Sequence, residues 1–196
     1  MGPANLAEKL DEHFTYGQYC QWNDGERWEL IDGVPYNMTP APVRKHQGIL
    51  MRVSLVVGNF LAGKPCRAYF APFDVRFPDS SEQNDSDVPT VVQPDLVVIC
   101  DEKKLDDRGC RGAPDLVVEI LSPSTSRKDI GAKFRLYERH GVREYWIIHP
   151  AEESLMVFAI GEDGKYGRPQ GYGRGDFATS TVLEGLELNL EEIFAE

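Results

Sequence analysis

The sequence predicts an α/β (α+β) fold, a mixed β-sheet flanked by helices. Two observations carry this. The elements run helix, hairpin, helix and then mostly strands, with one further helix inserted between strand-like runs 114–121 and 143–150. Strand-like runs also recur through the second half of the chain, at 91–100, 114–121, 143–150 and 154–160.

Each element has its own signal. Leu6, Leu10 and Phe14 recur at helical spacing and predict a short helix over 5–18. "RWELIDGVPYNM" (27–38) predicts a hairpin, with Asp32-Gly33 as its turn. Pro40 and Pro42 break the chain. A helix over 43–62 follows, with a stripe of Ile49, Val53, Val56, Val57 and Phe60 and a stop at Gly63. "CRAYFAPFDVRF" (66–77) alternates and predicts a strand; 78–90 is polar and acidic and predicts a surface loop. Strands are expected at 91–100 and 114–121, with a charged loop at 101–113 between them. Ser/Thr caps before it and Gly141 after it mark a helix over 122–142. Strands at 143–150 and 154–160, a short strand near 179–183 and a hairpin or turn to Phe194 complete the chain. No shift in composition marks a boundary, so residues 1–196 are read as one domain.

The chain has 196 residues, 41% hydrophobic and 27% charged, the balance of an ordinary globular protein. No run approaches the roughly 18 apolar residues of a membrane span, and the N-terminus lacks the apolar core of a secretory signal. A cytoplasmic location with reduced thiols is therefore expected. The four cysteines (20, 66, 100 and 110) form no CxxC; the alternative to free thiols is a Cys100–Cys110 disulfide across the loop. The net charge of −11 argues against a protein whose whole surface binds nucleic acid. A nucleic-acid site here must be local, metal-bridged or supplied by a partner.

"PDLVV" occurs twice, in "VVQPDLVVIC" with Asp95 and in "GAPDLVVEILSPST" with Asp115. If the two runs pair as an antiparallel hairpin about a loop centred near residue 107, Asp95 falls opposite Glu119. Two facing carboxylates repel unless a cation lies between them, and Mg²⁺ favours one or two carboxylates with waters. Asp115 lies four residues, about 13 Å, from Glu119 along the strand, too far to share one ion. It reads as a strand-entrance residue, whereas Asp95 reads as a ligand against the plainer alternative of turn chemistry. Glu119 sits inside "LVVEIL", where a charge needs a partner: an ion, or a buried salt bridge to Arg or Lys.

The string "VQPDLVVI … GAPDLVVEILSPSTSRKDIGAKFRLYERHGVREYWIIHP", with "WELIDGVPY", "HQGIL" and "APFDVRF" upstream, resembles the Uma-type restriction endonuclease family of the PD-(D/E)XK nuclease superfamily over roughly residues 25–160. The resemblance implies a restriction-endonuclease-like mixed sheet flanked by helices. It also implies an acidic pair, Asp95 and Glu119, that binds Mg²⁺ or Mn²⁺. The superfamily's lysine, two residues after the second acid, is Leu121 here, so the resemblance moves it to a helix. Lys133 is the assigned residue and Lys128 its competitor; an Asp129–Lys133 surface pair is the plainer reading of Lys133. Glu29 is a further acid to bind metal or orient water, or else an exposed hairpin carboxylate. Asp74 is a third metal acid, or half of an ion pair with Arg76. His46 is a weak candidate, more often a helix-surface or core histidine.

The implied activity is metal-dependent phosphodiester hydrolysis of DNA, with Lys133 stabilising developing charge or positioning water. The expected partners are DNA and a second copy of the chain, without a membrane. The missing lysine and the −11 charge keep open a non-catalytic interaction or regulatory protein on the nuclease fold, and a hydrolase of a small phosphorylated molecule is a third reading. A nuclease should gather Arg44, Lys45, Arg52, Arg127, Lys128 and Arg135 about the acids.

Overall fold

The computed structural model describes residues 13–38, 43–80, 83–122 and 127–195, without the side chains of 127–130. Helix α1 (Tyr16–Tyr19) leads into β1 (Trp28–Ile31), β2 (Val34–Asn37), α2 (Arg44–Leu61), β3 (Arg67–Phe70) and β4 (Val75–Arg76). Next come β5 (Val91–Val92), β6 (Leu96–Ile99), β7 (Leu105–Asp106), β8 (Gly109–Arg111), β9 (Leu116–Ile120) and α3 (Arg127–Arg139). The chain ends with β10 (Glu144–His149), β11 (Ser154–Ala159), β12 (Gln170–Gly173), β13 (Phe177–Thr179), β14 (Glu187–Asn189) and α4 (Leu190–Ile193). The helix expected over 5–18 falls largely outside the described residues. Among them no helix is long and apolar enough to cross a membrane.

The fold is mixed α/β, with two mixed sheets where the sequence suggested one. The first sheet has the order β2-β1-β5-β4-β8-β7 and the second β12-β11-β10-β9-β6-β3; β13 and β14 form a separate pair. Prolines explain the division. Proline has no N–H to give to a ladder, so it is confined to edge strands such as β2, which holds Pro35, and to strand starts and breaks. Pro72 splits the run expected at 66–77 into β3 of the second sheet and β4 of the first. Pro94 splits 91–100 into β5 of the first and β6 of the second, and Pro114 stands between β8 of the first and β9 of the second. The charged loop at 101–113 itself contains β7 and β8.

The hairpin β1–β2 forms as expected, with Asp32 (φ 53°) and Gly33 (φ 79°) both left-handed at its turn, as a two-residue type I′ loop requires. Strands β6 and β9 pair antiparallel as Leu96↔Val118, Val97↔Val117 and Val98↔Leu116, and the next step of that register sets Asp95 across from Glu119. Alternation divides the second sheet between two apolar clusters. Leu96, Val98, Leu116, Val118, Trp146 and Ile148 pack against α2 and the C-terminal segment. Val97, Val117, Tyr145 and Ile147 pack on the other side with Leu136 and Tyr137 of α3 and with residues of the first sheet. The helices therefore cover both faces of the second sheet.

The disulfide differs from expectation. Cys66 is bonded to Cys100, and Cys110 is a free, buried thiol. The cause is the β3–β6 register: Arg67 pairs with Ile99, so the next positions, 66 and 100, face each other, whereas Cys110 lies in the other sheet.

Arg76 is fully buried and pairs with Asp85 at 2.7 Å and Asp106 at 2.6 Å, not with Asp74. Asp85 thus ties the acidic loop to β4. Asp85→Ala should cost about 2 kcal/mol or more, because it leaves the buried guanidinium under-partnered. Arg108→Ala, on the exposed side of the same network (65% exposed), should cost under about 0.5 kcal/mol. Denaturant unfolding of both variants checks this; equal costs would contradict it.

Candidate active site

The site forms at the seam where the chain passes between the two sheets. Glu29 comes from β1 of the first sheet and Glu119 from β9 of the second. Asp95 lies in the crossing from β5 to β6, while His46 and Lys133 come from α2 and α3 on opposite faces of the second sheet. Because β6 and β9 are antiparallel, the start of one lies beside the end of the other, and Asp95 and Glu119 meet at one sheet end.

Lys133 joins the acids. Its Nζ donates to Glu29 Oε1 at 2.8 Å and to Glu119 Oε1 at 2.9 Å. All three side chains are largely buried, with exposures of 13% for Lys133, 7% for Glu29 and 13% for Glu119. Glu29 is therefore not an exposed hairpin carboxylate, and Lys133, the assigned lysine, forms a buried bridge instead of the surface residue of its plainer reading. Tyr137, one helical turn beyond Lys133 and so on the same face, donates its hydroxyl to Glu119 Oε1 at 2.7 Å. Asp95 Oδ2 accepts the Ile120 N–H at 2.7 Å and lies 3.2 Å from His46 Nε2.

Burial raises the Glu119 carboxyl to about 7: desolvation is the largest cause, Lys133 opposes it, and the charges of Asp95 and Glu29 add to it. Burial works against the Lys133 ammonium, but Glu119 and Glu29 more than offset it and hold the amine protonated well above its ordinary range. Burial likewise disfavours charge on His46, yet the hydrogen bond and charge of Asp95 raise its pKa overall.

The other candidates sit apart. Asp115 Oδ2 accepts the Cys100 N–H at 2.8 Å and its Oδ1 meets Arg143 at 3.2 Å, contacts that fix a strand entrance. Asp74 accepts from Gln93 Nε2 at 2.8 Å, Tyr19 at 3.3 Å and Tyr16 at 3.4 Å, and among the described residues it makes no ion pair with Arg76. Burial raises its pKa. Asp74 is linked to the site through Gln93, whose backbone N–H donates to Glu29 Oε1 at 2.8 Å. Gln93 went unremarked in the sequence, although it directly precedes Pro94 and Asp95. The side chains of Arg127 and Lys128 lie outside the described residues. Lys45 pairs with Glu153 at 3.4 Å. Arg44, Lys45 and Arg52 lie on the helix that supplies His46, and Arg135 on the helix that supplies Lys133.

Among the described residues no three or more His, Cys, Asp or Glu side chains are grouped to hold a metal ion. The fit is for an ion that needs few protein ligands. Glu119 Oε2 and Asp95 Oδ1 are hard oxygen donors with no hydrogen bond from the described residues, and Mg²⁺ is commonly held by one or two carboxylates plus waters.

Two mixed sheets flanked by helices, with Asp95 and Glu119 at one sheet end and Lys133 beside Glu119, form a restriction-endonuclease-like fold. The chain belongs to the Uma2 family, described as "Putative restriction endonuclease", which matches residues 15–191. It is 30% identical over 152 residues to the Synechocystis sp. "Uncharacterized protein slr1290", covering 76% of this chain and 75% of that one. Its fold is shared by a crystal structure from Anabaena variabilis described as "a putative nuclease belonging to DUF820", with a TM-score of 0.68, 20% identity and 98% of each chain covered.

Proposed function

We propose that the protein is a divalent-metal-dependent nuclease that hydrolyses phosphodiester bonds in DNA, acting as a homodimer. The observation that carries the reading is Lys133 between Glu29 and Glu119 with Asp95 alongside: an acid pair and a displaced lysine in one buried cluster. Asp95 and Glu119 would hold Mg²⁺ or Mn²⁺, each through its open oxygen. The chemistry such an ion supplies is activation of water and polarisation of a phosphoryl oxygen. Lys133 would offer its ammonium to the negative charge that develops on the phosphoryl group. Glu29 would hold Lys133 in place, and Gln93 would hold Glu29.

With an overall charge of −11, a DNA contact would be local to this neighbourhood and would draw its cations from α2 and α3. The experiment is incubation with supercoiled plasmid and single-stranded DNA under titrated Mg²⁺ or Mn²⁺. Cleavage that needs the ion and disappears in Asp95→Asn is expected. Absence of ion-dependent cleavage on both substrates would favour the non-catalytic interaction protein.

A further inference from the structure

The acids share a pattern. Glu119 Oε1 takes two donors, Lys133 at 2.9 Å and Tyr137 at 2.7 Å. Asp95 Oδ2 takes the Ile120 N–H at 2.7 Å and lies 3.2 Å from His46 Nε2. In each carboxylate the second oxygen accepts nothing from the described residues. We infer that Tyr137 and His46 are positioning residues that lock Glu119 and Asp95 into one-oxygen coordination and so make the site select a small octahedral divalent ion over Ca²⁺. The inference rests on the metal-site reading above.

The physical basis is geometric. Ca²⁺ takes six to eight oxygens and often uses both oxygens of a carboxylate, whereas Mg²⁺ demands near-ideal octahedral geometry and keeps several waters. A carboxylate whose one oxygen is held by two donors cannot turn to present both without losing hydrogen bonds. Neither positioning group is free to follow such a turn. Tyr137 is fully buried, its ring edge-on to Tyr145 at 4.9 Å. His46 is 3% exposed and its Nδ1 has no hydrogen-bond partner, so Asp95 is its anchoring side-chain contact among the described residues. Hydrogen-bonding partners of metal ligands commonly govern affinity by 10–100-fold. Packing alone would account for a buried ring at position 137, but not for a hydroxyl aimed at a carboxylate already held by lysine.

The experiment is calorimetric titration of the full chain with Mn²⁺ and with Ca²⁺, for wild type, Tyr137→Phe, His46→Leu and His46→Gln. Tyr137→Phe removes one oxygen and keeps the ring. The preference of wild type for Mn²⁺ over Ca²⁺ is expected to shrink about tenfold in Tyr137→Phe and His46→Leu, and to be restored in part by His46→Gln, whose amide can donate near the Nε2 position. A purely structural role would lower both affinities together and leave the ratio unchanged, which overturns the inference alone. If wild type binds neither ion, the metal-site reading fails and the inference falls with it.

Discussion

Lys133→Ala is expected to abolish cleavage and to remove about 3–5 kcal/mol of stability in the metal-free protein. The lysine is the cation between two buried carboxylates, and taking one partner from a buried ionic cluster leaves the others uncompensated. From the sequence alone the same substitution reads as a purely catalytic loss. The geometry adds the structural cost, because Glu29 and Glu119 are left to repel each other with little water to screen them. A divalent ion can supply part of the missing charge, so Mn²⁺ should stabilise the variant more than it stabilises wild type. Denaturant unfolding of both proteins with and without Mn²⁺ measures this. A variant as stable as wild type, or one indifferent to the ion, would mean that Lys133 does not neutralise the pair.

Glu119→Gln is expected to lower cleavage by roughly a hundredfold or more, the scale of losing one electrostatic contact at a reacting centre. The amide oxygen can still accept from Lys133 and Tyr137, so the fold should survive. The same variant should change how stability follows pH. The Glu119 carboxyl is raised to about 7 in the folded protein, against roughly 4.3 in an unfolded chain. Between those values the folded state keeps a proton that the unfolded state releases. The stability this contributes is fully present below about pH 4.3 and is lost as pH rises to about 7. Metal-free wild type should therefore lose stability relative to Glu119→Gln across that window and level off above it. Thermal midpoints from pH 4 to 8 read the difference directly; a constant gap would place the titration elsewhere.

Much of the site was legible in the sequence because its parts broke local rules. Glu119 is a charge in an apolar strand, and Pro-Asp at position 95 fixed a strand start from which a register could be counted. The β6–β9 ladder has that register. Lys133 was legible as the helix-borne stand-in for the lysine that Leu121 displaces. Burial of Glu29 was not, since a short hairpin shows no sign of what packs over it; strands β1 and β5 pair in three dimensions across sixty residues of chain. Tyr137 was not singled out for the site, although a buried tyrosine hydroxyl usually needs a partner. The two-sheet division was written in Pro72, Pro94 and Pro114, but a run of β-formers around a proline reads as one strand until the crossing is seen. The Cys66–Cys100 bond depends on which strand lies beside β6, a long-range fact that cysteine spacing does not encode.

Asp95 and Glu119, and not the second Pro-Asp at 115, are proposed to form the divalent-ion site. Calorimetric titration of Mn²⁺ into wild type, Asp95→Asn, Glu119→Gln and Asp115→Asn tests it most directly. One ion bound by wild type and by Asp115→Asn, with binding lost in Asp95→Asn and Glu119→Gln, is the predicted result. Equal loss in Asp115→Asn, or undiminished binding in Asp95→Asn, would contradict it.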